Sequence, residues 1–185
     1  MRLFAAIPLQ EAVDSLAKVF EEFQPFDSYL KTVKENQFHL TLKFFGNLKS
    51  DDAQSVINAF DQWSPDKASF HIDLKGLGVF PSLSKPSVIW AGLKDDEGSI
   101  LDIYKDCENI FSSIGIEKES RTFHPHLTLY RIKKHKEISQ DLRDLVKEYK
   151  DQFFSTLQIQ SIILYESKLH SYGPEYSEIK KIILK

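Results

Sequence analysis

The chain has 185 residues, 42% hydrophobic and 28% charged, so it is long enough to bury a substantial core in one or two compact units. Its seven Gly, seven Pro and 14 Phe exclude collagen-like, linker-like and disordered composition. The formal net charge of −3 argues against a protein that grips long nucleic acid mainly through its phosphates, but leaves room for a single phosphate bound by a local basic patch.

Cys107 is the single cysteine, so it can form neither an intramolecular disulfide nor a cysteine-based zinc site. The default compartment for such a chain is the reducing cytoplasm. The apolar residues 3–8 are too few for a membrane span and lack the pattern of a signal peptide. We therefore interpret them as a buried strand and expect a cytoplasmic protein with no membrane partner.

The first half of the chain predicts two helices and three strands after that opening strand. Apolar residues at spacings of three and four indicate the helices, and alternating or continuous apolar runs indicate the strands. Ser50 can cap the second helix and Pro65 should end it. In chain order the helix, strand, helix, strand and strand cover residues 11–24, 37–45, 51–64, 69–80 and 87–93.

The second half repeats this order of elements. Gly115 can end its first helix, Ser139 can cap its second, and Tyr172, Gly173 and Pro174 give a turn signal before the last strand. In chain order the helix, strand, helix, strand and strand cover residues 100–114, 122–132, 140–149, 154–165 and 176–184.

The repetition extends to a sequence motif. His-Leu-Thr-Leu occurs at residues 39–42 and again 87 positions later at residues 126–129, each time on the strand between the two helices of its half. We therefore expect an α+β fold with a bilobal pseudo-twofold duplication, each lobe an antiparallel sheet with two helices, around a central cleft. The sequence halves, approximately 1–95 and 96–185, then form a single two-lobed domain over residues 1–185, and we expect a monomer because one chain completes the cleft.

The repeated motif suits chemistry on a phosphodiester. Residues two apart on a strand share a face, so His39 points with Thr41 and His126 points with Thr128. One neutral imidazole can remove a proton from a nucleophile while the other, protonated, gives a proton to the leaving oxygen. The two hydroxyls can donate hydrogen bonds to phosphate oxygens, where charge accumulates.

The charge around the motifs fits an anionic ligand. No acidic residue lies between Glu119 and Glu137, and none lies in residues 36–50. A focused basic patch selects a few phosphates, although the lysine-rich end of the first stretch is equally compatible with a solvated loop. The cations of that stretch are Arg121, Arg131, Lys133, Lys134 and Lys136.

Other chemistries have weaker support in the sequence. His124 shares a strand face with His126, which makes a zinc site the sharper rival. Neither motif has a third clustered ligand, and HExxH and CxxC are absent, so we assign no metal ligand. The chain also lacks the GxSxG turn of a serine hydrolase and a Gly-rich phosphate loop.

The two motifs, within FHLTLKFFGNL and RTFHPHLTLYR, resemble those of the two-histidine phosphoesterase superfamily, and specifically its RNA 2',3'-cyclic phosphodiesterase, or 2'-5' RNA ligase-like, branch. The opening MRLFAAIPL, the run SVIWAGL and the late LYESKL and GPEY agree in order, so the resemblance covers the whole chain. It implies two motif strands facing each other across a cleft. It also implies hydrolysis of a terminal cyclic phosphate on RNA ends, possible tRNA fragments among them, to a 2'-phosphomonoester without a cofactor, and in some members reversible 2'-5' joining of ends.

The resemblance also implies roles for individual residues. His39 would be the proton donor to the departing O3', and His126 would be the base that activates water, an assignment that the symmetry of the motifs alone does not give. Thr41 and Thr128 would bind phosphate oxygens. Arg131 matches a family arginine that reaches the phosphate.

For two residues near the second motif, the strand pattern does not determine whether the side chain faces the cleft. Arg131 lies five residues after His126, so an ideal strand would turn it away from the cleft, and a bulge or strand end is required to bring it back. His124 is compatible with substrate contact or with a structural place at the rim.

Two further functions stay open at the level of sequence. One is a non-catalytic module that binds a nucleotide or an RNA end, with aromatic residues stacking on a base. The other is a phosphodiesterase whose substrate is a small cyclic nucleotide. The intact pair of His-x-Thr motifs favours an enzyme over a binding module.

Overall fold

The computed structural model of the chain describes residues 1–133, 137–171 and 173–185. These residues form nine strands and four α-helices. Lys134 and Lys136 of the expected basic stretch and Tyr172 of the expected turn lie outside the described residues. The strands are β1 (Arg2–Pro8), β2 (Leu30–Thr32), β3 (His39–Asn47), β4 (Phe70–Phe80), β5 (Val88–Lys94), β6 (His126–Ile132), β7 (Phe153–Ile159), β8 (Ser161–His170) and β9 (Gly173–Ile183). The helices are α1 (Ala17–Phe23), α2 (Ser50–Gln62), α3 (Ser99–Ser113) and α4 (Gln140–Glu148).

The strands form two antiparallel sheets, with the strand orders β3-β1-β8-β9 and β2-β6-β5-β4-β7. Helices α2 and α3 pack on the four-stranded sheet, and α4 packs on the five-stranded sheet. Helix α1 covers the five-stranded sheet as well, where Phe23 stacks on Tyr130 of β6 with ring centroids 5.3 Å apart. We call each sheet with its two helices a lobe. The prediction of an α+β fold with two lobes of this composition is confirmed.

Each lobe combines strands from both halves of the sequence. Strands β8 and β9, from the second half, complete the sheet of β1 and β3, whereas β6 and β7 join β2, β4 and β5. The chain changes sheets at Gln160, between β7 and β8. Central strand β1 explains why the halves mix, because its buried backbone groups need hydrogen-bond partners on both edges and β8 supplies the second edge.

Local signals explain which element boundaries match the prediction. Ser139 caps α4, where its Oγ accepts a hydrogen bond from the backbone N–H of Leu142 at 3.2 Å. Ser50 is the first residue of α2 and does not cap it, since Lys49 occupies that position. The run predicted as one strand over residues 154–165 contains two strands, because the chain passes from one sheet to the other at Gln160.

The apolar side chains of both lobes join in one continuous core, which includes Leu3 and Leu40 of the four-stranded lobe and Leu74 and Leu127 of the five-stranded lobe. The motif strands β3 and β6 contact each other where the lobes meet. Their leucines enter this core, so the alternate residues of each strand face the cleft between the lobes. Among the described residues, no helix combines the length and the apolar character that crossing a bilayer requires.

Candidate active site

The two motif strands bring their polar residues into one cleft. His39 and Thr41 of β3 line it from the four-stranded lobe, and His126 and Thr128 of β6 line it from the other. No Asp or Glu is among the described residues that line the cleft. The cleft therefore offers two imidazoles and two hydroxyls in surroundings without negative charge.

The two imidazoles are held in the same way. The Nδ1 atom of His39 lies 2.6 Å from the carbonyl oxygen of Gln37, and Nδ1 of His126 lies 2.6 Å from the carbonyl oxygen of His124. A carbonyl oxygen only accepts, so each Nδ1 carries the hydrogen, and each neutral ring has its lone pair on Nε2. The Thr41 hydroxyl is 3.1 Å from Nε2 of His39. Both rings are thus fixed in the form that can accept a proton at Nε2.

Aromatic side chains pack against both imidazoles. Phe4 and Tyr176 contact His39, with ring centroids 5.1 and 5.6 Å away. Phe80 contacts His126 in the same manner, with centroids 5.0 Å apart. Packing of this kind leaves each ring little rotational freedom, which suits a group that transfers a proton along a fixed direction. Sequence reasoning missed these partners because nothing in an apolar run shows which aromatic residue faces a cleft.

A bulge in β6 brings Arg131 into the cleft. Trp90 of β5 pairs with Thr128, but the preceding residue Ile89 pairs with Tyr130, so Leu129 is an extra residue in the ladder. The extra residue reverses the alternation: Leu129 and Tyr130 are both buried, and Arg131 lines the cleft with the motif residues. The required bulge is therefore present, and it accounts for the five-residue spacing.

The same irregularity occurs in β3 at the matching place. Ala6 of β1 pairs with Thr41 and Ala5 pairs with Lys43, so Leu42 is the extra residue there. The position that corresponds to Arg131, 87 residues earlier, is Phe44. Its side chain is 51% exposed, and the guanidinium carbon of Arg2 lies 4.7 Å from its ring centroid. The pseudo-symmetry thus gives one motif strand a cation and the other an aromatic ring.

Burial dominates the electrostatics of the two histidines. It lowers the pKa of His39 to about 4, against the hydrogen bond to the Gln37 carbonyl, and the positive charge of Arg131 acts in the same direction as burial. Burial also lowers the pKa of His126. At neutral pH with no anion bound, the His39 ring is therefore neutral, and a bound phosphodiester anion would raise its pKa.

The depressed pKa of His39 predicts a loss of stability in acid. Between pH 6.5 and about 4 the unfolded chain binds a proton at this residue and the folded chain does not, so the free energy of unfolding decreases as the pH falls. The slope is about 1.4 kcal/mol per pH unit, or roughly 3 kcal/mol over the whole interval. Urea unfolding of the wild type and of His39→Asn at pH 7 and pH 4.5 measures it as the difference between the two proteins.

An equal decrease in both proteins would contradict this prediction, because the carboxylates that titrate over the same interval are common to them. Asn is the suitable replacement since its amide can donate to the Gln37 carbonyl as Nδ1 does.

The structure also locates His124 and the described cations of the basic stretch. His124 lies at the rim, 6.1 Å from the Phe80 ring by centroid, and its backbone carbonyl orients His126. Among the described residues, no group of three or more His, Cys, Asp or Glu is placed to hold a metal ion. Of the basic stretch, Arg131 enters the cleft, whereas Lys133 donates to the backbone carbonyl of Asp27 at 2.6 Å.

Two pseudo-symmetric lobes that each contribute a His-x-Thr strand to one cleft define the class of two-histidine phosphoesterases. Comparison with known proteins narrows the class. The family model described as "AKAP7 2'5' RNA ligase-like domain" matches residues 4–183, and the chain belongs to this family.

Individual relatives agree with this membership. A protein of Methanocaldococcus jannaschii named RNA 2',3'-cyclic phosphodiesterase is 33% identical, over 98% of this chain and 99% of its own length. The crystal structure of TT0787 from Thermus thermophilus superposes with a TM-score of 0.83 and 25% identity, covering 100% of this chain and 98% of that one. LigT of E. coli in complex with 3'-AMP has the same fold, with a TM-score of 0.75, 20% identity and coverage of 99% and 97%.

Proposed function

We propose that this protein hydrolyses 2',3'-cyclic phosphate ends of RNA to 2'-phosphomonoesters. The observation that carries the proposal is the meeting of two oriented imidazoles, two hydroxyls and Arg131 in one cleft with no lining carboxylate among the described residues. The relatives named RNA 2',3'-cyclic phosphodiesterase support the substrate class. The presence of both complete His-x-Thr pairs favours catalysis over binding alone.

The reaction needs one proton removed and one supplied. His126 takes a proton from water at Nε2, and the water oxygen bonds to phosphorus as the bond from phosphorus to O3' breaks. His39 gives its Nε2 proton to O3'. Thr41 and Thr128 donate to the non-bridging oxygens, and Arg131 offsets the negative charge that builds on them. The same step with a 5'-hydroxyl in place of water, its proton passing to His126 and O3' leaving, would join two ends through a 2'-5' phosphodiester.

Product analysis tests this proposal directly. An oligoribonucleotide with a 2',3'-cyclic phosphate end, incubated in EDTA, should gain one water and end in a 2'-phosphate. A 3'-phosphate product would contradict the assignment of O3' as the leaving group. Tight binding of the oligonucleotide or of AMP, without turnover of any substrate in a panel of cyclic phosphates, would replace the enzyme with a binding module. Turnover of 2',3'-cyclic mononucleotides alone would assign a small-molecule substrate.

Phe44 should bind the terminal base. Its exposed ring lies on the same sheet face as its register partner Phe4, which contacts His39. Stacking of a base on an aromatic side chain contributes about 1–3 kcal/mol. Phe44→Ala should therefore lower kcat/KM for adenosine 2',3'-cyclic phosphate by roughly 10-fold or more, and Phe44→Tyr should leave it unchanged. Steady-state kinetics with both variants measure the effect.

Two controls make this prediction specific. Glycerol 1,2-cyclic phosphate has no base, so Phe44→Ala should not slow its hydrolysis. Phe153, which is 49% exposed on the edge strand β7, offers a matched replacement outside the cleft, and Phe153→Ala should retain full activity. An equal loss on the base-free substrate would show that Phe44 acts on the reacting phosphate or on folding instead.

The proposed function also includes an oligomeric state and a compartment. The cleft is lined from both lobes within one chain, which supports a monomer that works as a single two-lobed domain. The one cysteine is buried and free, which supports the reducing cytoplasm as the compartment. We include tRNA fragments among the RNA ends proposed as substrates. A molar mass in solution of twice the chain's 21.4 kDa would contradict the monomer.

A further inference from the structure

Two cations stand directly opposite each other at one end of the cleft. Lys31 of β2 is the register partner of Arg131 of β6, and both line the cleft. Directly opposed residues of an antiparallel pair project from the same face with Cβ atoms about 5 Å apart, and like charges in that position destabilise the sheet. The arrangement therefore costs stability unless an anion lies between or beside the two groups.

The protein supplies no such anion among the residues that the structure describes. Neither Lys31 nor Arg131 forms an ion pair with a described carboxylate, and no described Asp or Glu lines the cleft. The ammonium of Lys31 lies close to Gly173 of β9 in the other lobe: a Cβ atom built on this glycine would be 3.9 Å from it. Lys31 is therefore an exposed cation beside its register partner Arg131, within reach of both lobes.

The cleft carries more positive charge than one cyclic phosphate requires. That group carries a single negative charge, and a protonated imidazole together with Arg131 already matches the two negative charges of the transition state. Lys31 adds a further positive charge that this balance does not use, in addition to Lys34, which also lines the cleft. An RNA end brings its next negative charge one nucleotide away, in the phosphodiester that joins the terminal nucleotide to the preceding one.

We propose that Lys31 binds the phosphodiester on the 5' side of the terminal nucleotide and so makes the enzyme favour RNA ends over cyclic mononucleotides. This inference rests on the proposed function. The ligand is a phosphate monoanion held by one ammonium, with Arg131 reserved for the reacting phosphate.

Two substrates separate the subsite from the chemistry. Adenosine 2',3'-cyclic phosphate has no 5' phosphate, whereas the dinucleotide ApA with a 2',3'-cyclic end has the upstream phosphodiester. Lys31→Ala should lower kcat/KM about 10-fold or more for the dinucleotide and leave the mononucleotide unchanged, since a hydrogen bond to a charged group has this order of effect. The dependence of log kcat/KM on log salt should flatten by about 0.7 for the dinucleotide only.

Two variants serve as controls. Lys31→Arg keeps the charge and should keep the preference for the dinucleotide. Lys105→Ala makes the same change of charge on the exposed side of α3, away from the cleft, and should change neither rate nor salt dependence.

Each other outcome overturns the proposal in a recognisable way. An equal loss on both substrates would assign Lys31 to the reacting phosphate, and no loss on either would leave it without a role in binding. If the wild type hydrolyses neither substrate, the proposed function fails, which is visible before any variant is compared.

Discussion

His39→Ala and His126→Ala should each lower the turnover of a cyclic-ended oligoribonucleotide by about 10²–10⁴-fold, the usual effect of removing one positioned proton-transfer group. The two groups act in one concerted step. The turnover of the double variant should therefore be only slightly lower than that of the less active single variant. Single-turnover rates measure the chemical step without contribution from product release.

The roles of the two histidines can be told apart with a second substrate. A p-nitrophenyl phosphodiester has a leaving group that needs no proton, so loss of the general acid should cost little on it, whereas loss of the general base should cost as much as before. We expect His39→Ala to recover activity on this substrate and His126→Ala not to. The reverse pattern would exchange the two roles while leaving the two-histidine mechanism intact.

The pKa of His39 in the free protein is the reason to test its role with this second substrate. Burial lowers the pKa of His39 to about 4, so a donor role requires that substrate binding restores its proton. A phosphodiester anion beside the ring favours the charged imidazolium. Substrate affinity should then be coupled to proton uptake, and the basic limb of the kcat profile should lie at higher pH than that of kcat/KM.

Retention of nearly full activity by both single variants would contradict the mechanism. Thermal unfolding of each variant at pH 7 should accompany the kinetics. His39 packs against Phe4 and Tyr176, so a lower Tm would show how much of an activity loss comes from lost packing.

The sequence was sufficient for the parts of the site that local periodicity controls. An i, i+2 spacing on a strand fixes the shared face of His39 and Thr41, and the offset of 87 identifies their counterparts. The need for a bulge before Arg131 also followed from strand geometry, because five residues do not return to the same face. The bulge at Leu129 meets that need.

Other parts of the site depend on contacts between distant segments. Lys31 reaches the cleft on β2, a strand of only three residues that is too short for an alternating pattern to predict. The alternating pattern of β3 groups Phe44 with the apolar residues of the core face. The bulge at Leu42 reverses this alternation and leaves the Phe44 ring exposed. The mixing of the two halves in each sheet likewise depends on strand pairing, which the order of elements does not determine.

Lys43 provides the largest expected effect on stability. Its ammonium lies 2.8 and 2.9 Å from the two carboxylate oxygens of Glu108 on α3, and both side chains are buried. Lys43 also donates to the carbonyl of Glu117 at 2.9 Å, and Glu108 accepts from the backbone N–H of Glu119 at 3.0 Å. This ion pair therefore joins the first motif strand to the segment that leads from α3 to the second.

Lys43→Met should lower the free energy of unfolding by about 3–5 kcal/mol, because it leaves the Glu108 carboxylate buried without its counter-ion. For a chain of this length that corresponds to a fall in Tm of roughly 10 °C, measurable by calorimetry. Attraction between buried charges is largely offset by their desolvation, so Lys43→Met combined with Glu108→Leu should recover most of the loss.

An exposed ion pair gives the matched control for this comparison. Lys67 and Asp102 lie 3.0 Å apart near the surface, and Lys67→Met should lower the free energy of unfolding far less than Lys43→Met does. If Lys43→Met costs no more than this control, the buried pair does not stabilise the junction. If it costs the full amount and the double variant recovers stability but not turnover, the pair also positions the segment that carries His126, since a purely structural role would recover both.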